Sequence, residues 1–522
     1  MDATRQGCRR SVAVVFVLWT VLWAGLWASV RPAEADCKPS PCLRAGQQPA
    51  TTVDVMAPLF LAKEEQWQDF AKRLDQAHDM GVGAVSVDVW WGLVQARQGR
   101  FDWAYYDRIA ELIRGKKLRW VPILAFHQCG GNVGDTCDIP LPEWIWGELL
   151  RQSCREPQSD ICRDPRYKSE KGRLSEEYVS LWADTTVMPY YEAFMRAFAD
   201  HFFKEKPELG AAIAAVDIGL GPAGELRYPS YAPADCWAYP GRGYFQAYSD
   251  AAKDSFRKEM MQKYAKLDTL NDTWFPDRPE ARLGSADDIR PPSDTPLEVG
   301  RAQGFVSGRD YTGTPYGLDF TGWYNEQLLE HGARVLGLAT AVFEDVLPAD
   351  VPFGVKVPGI HWQMDGQAPA PRIAEITAGL VPAADVDGGA ATGHGYKRLM
   401  DMLAEQAGQG RKIVLHFTCL ERDNAAVDDG KEAHSLAKDL VRWVGQAAGR
   451  AGLPIMGENA LPGGVHSKEG WDNIQEAFCA GDFTGLTVLR LSEVTAPGGE
   501  LGHDRYARFI ECFAPPRQAA TP

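Results

Sequence analysis

Residues 212–231 read AIAAVDIGLGPAGELRYPSY, and the fold turns on how this stretch is read. Ala212–Ile218 is short and apolar, as a buried strand is. Gly219, Gly221 and Gly224 then fall in the spacing GxGxxG, which after a strand suggests a dinucleotide site. Such a site also needs a helix to open at the glycines, so that its N-terminus can hold a pyrophosphate. Here the chain continues Glu225-Leu226-Arg227-Tyr228-Pro229, and Pro229 stops that helix early. The glycines therefore read as a tight turn that presents Glu225 at the C-terminal end of a strand.

Outward from this point, short apolar runs alternate with helical patterns. Strands are expected at Thr52–Pro58, Ala84–Val89, Trp120–Ala125, Ala212–Ile218, Val351–Val357, Lys412–Phe417, Pro454–Glu458 and Gly485–Leu491. The clearest helical segments between them are Glu64–Met80, Trp103–Lys116, Tyr190–Phe203, Gly243–Lys266, Gly322–Glu344, Tyr396–Gly408, Glu432–Arg450 and Gly470–Ala480. Repeated strand–helix units predict a parallel sheet covered on its faces, and this number of them predicts an α/β fold closed as a (β/α)8 TIM barrel. The long stretches 127–187 and 219–320 follow strands 3 and 4, on the side where barrel active-site loops lie.

The chain has 522 residues, 45% hydrophobic and 24% charged, which excludes disordered, collagenous and coiled-coil classes. A net charge of −15 argues against nucleic acid as a partner. Arg5, Arg9 and Arg10 precede an apolar run from Val12 to Val30, and Ala33-Glu34-Ala35 fits a small-x-small cleavage site. Residues 1–35 therefore read as a secretory signal, with an uncleaved anchor as the competing reading. Residues 36–50 read as a linker, 51–515 as one catalytic barrel and 516–522 as a tail. The expected location is outside the cell or in the periplasm, with no membrane contact after cleavage. Among the cysteines, Cys37–Cys42, Cys129–Cys137 and Cys154–Cys162 are candidate local disulfides. No CxxC or HExxH supports zinc. Asn271-Asp272-Thr273 is a glycosylation sequon, uninformative by itself.

Polar residues collect at the predicted strand ends. Asp88, His127, Glu225, Lys356, Thr418, Glu458 and Arg490 each stand at or just beyond one. For one position a structural ion pair explains as much, but the set is what a barrel enzyme presents at its catalytic rim. Two carboxylates with indole and imidazole nearby suit glycoside hydrolysis. One must be protonated to donate to the leaving oxygen, and the other ionised to activate water. Trp90, Trp91 and Trp362 are candidates for stacking on sugars, although an individual Trp is more often core.

The stretches Val87–Gly92, Phe126–Asp135, Gly219–Tyr231, Lys356–Trp362, Phe417–Glu421, Gly457–Pro462 and Leu489–Ser492 together resemble the β-amylases, exo-acting α-1,4-glucan maltohydrolases. The resemblance runs from about residue 53 to 515 and includes no C-terminal starch-binding module. It implies that Glu225 is the general acid and Glu458 the general base. It also implies that Asp88, His127, Asp135, Lys356, His361, Thr418, Asn459, Ala460 and Arg490 hold the sugars nearest the non-reducing end. Gly130–Asp135 matches a flap over the substrate, and Phe417–Glu421 an inner loop that shifts during turnover. The implied reaction inverts an α-linkage to a β-anomer, which asks for carboxyls roughly 6.5–9.5 Å apart.

That chemistry needs no cofactor. Structural calcium is unsupported, because Gln95 replaces an acidic residue common after Trp-Trp-Gly and the acidic set of bacterial relatives is not found. Pro358 stands where the family usually has serine. Cys129 and Cys137 flank the flap, and Cys419 on the inner loop reads as a free thiol or an ordinary buried cysteine. The alternatives are a non-catalytic glucan-binding or sensing protein on the same scaffold, another inverting glycosidase, and, more distantly, a nicotinamide enzyme. A monomer is the expected oligomeric state.

Overall fold

The computed structural model describes residues 51–131, 134–154, 162–292, 304–480, 482–495 and 500–514. The expected signal segment, the linker, the Cys37–Cys42 pair and the C-terminal tail lie outside the described residues.

Eight parallel strands close a barrel in the order β1–β8–β7–β6–β5–β4–β3–β2. They are β1 (Thr52–Met56), β2 (Ala84–Trp90), β3 (Arg119–Ala125), β4 (Val216–Ile218), β5 (Phe353–Val357), β6 (Ile413–Phe417), β7 (Ile455–Glu458) and β8 (Phe483–Val488). Each falls at an expected position. Strand β4 is shorter than expected, because Ile213 makes a single bridge to Trp120 before the ladder resumes at Val216.

The strands are buried on both faces, and Trp120–Ala125 in β3 reads as an unbroken apolar run for that reason. The barrel interior is less apolar. Asp54, Asp217 and His416 are all buried, and Gly354 makes room for the last two. A side chain at Gly354 would overlap Asp217 and come within 2.9 Å of His416 Nε2.

Helices surround the barrel. Helix α1 (Glu64–Met80) buries Trp67, Phe70, Leu74 and Ala77, a spacing of three and four that places them on one face. It ends at Gly81 with φ 112°, where a residue without Cβ is needed. The 29-residue helix α2 (Pro315–Phe343) starts with Thr314 accepting from the Gly317 amide at 3.0 Å.

Two antiparallel hairpins were not expected. Arg166–Lys168 pairs with Leu174–Val179, and Asn424–Asp428 with Lys431–Leu436. The second takes the first residues expected of a Glu432–Arg450 helix, which instead runs Ala437–Ala451. Its two-residue turn is Asp429-Gly430, both in the left-handed region (φ 51° and 71°), a hairpin turn that Asp-Gly favours.

Cys129–Cys137 and Cys154–Cys162 are disulfides, with Cα atoms 5.6 and 4.3 Å apart. Cys236 and Cys479 are also disulfide-bonded, and Cys419 is a buried free thiol. The sequon residue Asn271 is buried, with its amide bonded both ways to the Leu283 backbone, so its side chain is occupied. No helix among the described residues is long and apolar enough to cross a membrane.

Candidate active site

A cavity of about 720 Å³ opens at the C-terminal ends of the strands. Asp88, His127, Asp135, Glu225, Lys356, His361, Thr418, Glu458, Asn459, Ala460 and Arg490 all line it. The barrel thus brings together both expected catalytic carboxylates and all nine residues expected to hold sugar.

Glu225 reaches this cavity through the glycine turn. Pro222–Gly224 is a single 3-10 turn, not the start of a helix, and Ala223 and Gly224 both have positive φ (55° and 76°). At Gly221 a Cβ would sit 2.5 Å from the Glu225 carbonyl oxygen, so the backbone closes on itself only with glycine there. The turn aligns Glu225 with Lys356 of β5, and the Leu226 amide donates to the Lys356 carbonyl at 2.8 Å. The Glu225 carboxylate accepts from Arg227 Nε at 2.7 Å and from Tyr231 Oη at 3.4 Å. Burial pushes its pKa above the ordinary carboxylate value, against the pull of Arg227.

Glu458 ends β7 and is held differently. Lys356 Nζ donates to both its oxygens, at 2.7 and 3.0 Å, and His416 Nδ1 lies 3.4 Å from Oε1. Burial alone would raise this carboxyl, but the Lys356 ammonium and His416 outweigh it and hold the pKa down at about 2. His416 is itself pushed upward: burial opposes its charged form, but Asp217 (3.8 Å away) and Glu458 together win.

The other lining residues show how the walls are built. Burial, and then the positive charges of Arg227 and Lys356, take His127 down to about 3, so its ring is neutral. Burial also takes His361 to about 4, with Ser435 Oγ 2.8 Å from its Nδ1. Burial raises the Asp88 carboxyl against the pull of Arg490 and Lys356. Thr418 accepts from the Gly359 amide at 2.7 Å, which ties the inner loop to the end of β5. Asn459 donates to the carbonyls of Leu461 and Leu489 and accepts from the Leu489 amide. Its side chain therefore clamps the backbone beneath the site. The Ala460 amide donates to both oxygens of Glu421, and Arg490 donates to the Ala57 carbonyl. Asp135 accepts from the Gly130 amide at 2.8 Å, inside the loop that Cys129–Cys137 closes.

Of the tryptophans considered for stacking, Trp90 and Trp362 line the cavity. Trp91 does not. It is fully buried, against Phe126 and Tyr191, and its Nε1 donates to Gln95 at 2.7 Å. Gln95, the departure after Trp-Trp-Gly, is thus a buried anchor for that ring.

Sequence reading missed the outer wall, where Tyr231, Trp237, Tyr239, Arg422 and Asp428 line the cavity. Tyr239 donates to Asp428 at 2.5 Å, and Arg422 pairs with the same carboxylate, so the Asp429-Gly430 hairpin is pinned over this side. No group of three His, Cys, Asp or Glu residues among the described residues is arranged to hold a metal ion.

The sequence profile of glycosyl hydrolase family 14 matches residues 54–510. The chain belongs to this family. It is 36% identical over 453 residues to the β/α-amylase of Paenibacillus polymyxa, a match spanning 86% of this chain and 33% of that protein. It is 35% identical to the β-amylase of Cytobacillus firmus, over 86% of this chain and 84% of that one. The crystal structure of the catalytic domain of the Paenibacillus polymyxa β-amylase superimposes with a TM-score of 0.72 at 33% identity, covering 90% of this chain and 99% of that domain. The family 14 member is therefore a glycoside hydrolase with the barrel expected of a β-amylase.

Proposed function

We propose that the protein hydrolyses α-1,4-glucans from their non-reducing ends and releases β-maltose by a single inverting displacement. One observation carries the proposal: two carboxylates line one cavity and are pushed in opposite directions, Glu225 up and Glu458 down. Titratable pairs separated in this way mark acid and base.

In this reading the protonated Glu225 gives its proton to the glycosidic oxygen as the bond to the anomeric carbon breaks. Glu458 takes a proton from water on the opposite face of the sugar, and that oxygen bonds the anomeric carbon from the β side. Lys356 keeps Glu458 ionised, and the neutral ring of His127 can donate to or accept from a sugar hydroxyl. Asp88, Asp135 and Arg490 supply the charged hydrogen-bonding groups that hold the non-reducing end, while Trp362, Trp237 and Tyr239 offer faces for the departing chain. A protein that only bound glucan would have no use for carboxylates split in this way.

The arginine-led apolar N-terminal segment supports export. Among the described residues, the large exposed apolar side chains outside the cavity, Leu150, Leu174, Leu318, Val427 and Leu501, each belong to a different element, which supports a monomer. The test of function is proton NMR of the first product from soluble starch. β-Maltose alone is expected. An initial α-anomer, or a ladder of oligosaccharides, would overturn the proposal.

A further inference from the structure

Glu225 faces a difficulty as an acid. Arg227 Nε sits 2.7 Å from its carboxylate, and a guanidinium at that distance stabilises the ionised form. A second carboxylate lies on the same guanidinium. Glu177, from the hairpin strand Leu174–Val179, is 4.0 Å from Arg227 Nη2 and only 5% exposed. Its Oε1 has no hydrogen-bond partner among the described residues. Its place is fixed from two sides. The Gln128 amide donates to the Glu177 carbonyl at 2.9 Å, and a Cβ at Gly131 would fall 2.6 Å from its Cγ.

We infer that Glu177 is a positioning residue for Glu225, sharing Arg227 so that Glu225 enters the reaction as an acid. The inference rests on the proposed role of Glu225. Arg227 cannot change its charge in the working pH range, so the cluster of one guanidinium and two carboxylates stays neutral only with one proton on the pair. Burial pushes Glu177 up to about 7, with Asp135 and Glu225 adding to the rise and Arg227 opposing it. Glu177 therefore ionises in the neutral range, and its negative charge then opposes loss of the proton from Glu225.

The other groups facing Glu225 do not supply this. Tyr231 keeps its proton, because burial lifts its pKa well above the usual phenol value. His127, beside Gly224, is neutral. Lys356 is bound to Glu458, and the negative charge of Glu458 acts on Glu225 less strongly than Arg227 does.

The experiment is the pH dependence of kcat/KM for Glu177→Gln on maltotetraose and on α-maltosyl fluoride, whose leaving group needs less help from an acid. Removing the charge lets Arg227 hold Glu225 ionised, so on maltotetraose the alkaline limb moves to lower pH by about one unit. On the fluoride it moves less, and Glu177→Asp restores most of the limb. An unshifted alkaline limb in a folded Glu177→Gln protein, or an equal loss on both substrates at every pH, overturns the inference.

If Glu177→Gln does not fold, coupling is read from the other side by carboxyl carbon NMR of Glu177. Two coupled carboxyls each report both ionisation steps, so Glu225→Gln must reduce the Glu177 titration to a single step. An unchanged titration overturns the inference. Full glucan turnover by Glu225→Gln would instead refute the role of Glu225 itself, whatever Glu177 does.

Discussion

Replacing Lys356 by Met separates the electrostatic role of this lysine from its place in the cavity wall. Its ammonium donates to both oxygens of Glu458 inside the barrel, at 2.7 and 3.0 Å. With His416, it overcomes burial and takes the carboxyl from an ordinary 4.5 to about 2. One pKa unit is 1.36 kcal/mol, so this difference is ~3.4 kcal/mol in favour of the ionised base. Methionine keeps the length and removes the charge, leaving His416 at 3.4 Å as the remaining cation. Burial then dominates, and the ionisation of Glu458 rises by about 2 units.

In a pH profile of kcat/KM on maltotetraose, the acid limb should move up by that amount. The height of the profile will also fall, because Lys356 lines the sugar site, so the position of the limb is the readout. Stability follows the same linkage. In the native protein the Glu458 pKa is below its unfolded value, so its contribution is present above about pH 4.5 and lost as pH falls through about 2. Lys356→Met removes that contribution, destabilising the fold by about 3 kcal/mol at pH 7 and by progressively less toward pH 2. An acid limb at the native position in a folded variant would refute the reasoning.

Two further outcomes are expected. Glu225→Gln and Glu458→Gln should each lower glucan turnover by about a thousandfold or more with near-native circular dichroism, and near-native activity in either would remove its assigned role. Thiol labelling of the native protein should leave Cys129 and Cys137 unmodified, and Cys129→Ser should cost about 2–3 kcal/mol in denaturant unfolding and raise KM through the loosened loop that carries Asp135; ready labelling of both would contradict the disulfide.

The barrel was legible because parallel strands buried on both faces leave short, largely apolar runs, such as Trp120–Ala125. Their polar C-terminal residues then fell on one cavity by topology alone. The hairpins were less legible, since strands of three to six residues on a barrel rim bury little and leave weak patterns. Asp429-Gly430 was the available signal for one of them, and it was masked by the helical pattern that follows. Trp91 and Asn459 show the limit at the level of single side chains. The sequence offers an indole and an amide at the rim; the fold buries the indole against Gln95, and the amide, while lining the cavity, also bonds the Leu461 and Leu489 backbone.

The division of labour between the two carboxylates is of a different kind, because a local reading of the sequence would reverse it. Arg227 is two residues from Glu225, so adjacency alone marks Glu225 as the permanently ionised partner. The cation that fixes Glu458 lies 102 residues away, and His416 comes from yet another strand. The pairing of β5, β6 and β7 as neighbouring strands delivers Lys356 and His416 to one carboxylate, while burial overrides Arg227 at the other. The assignment of acid and base is thus a property of the closed barrel, and a variant that moved Lys356 out of reach of Glu458 would erase the distinction while leaving both glutamates in place.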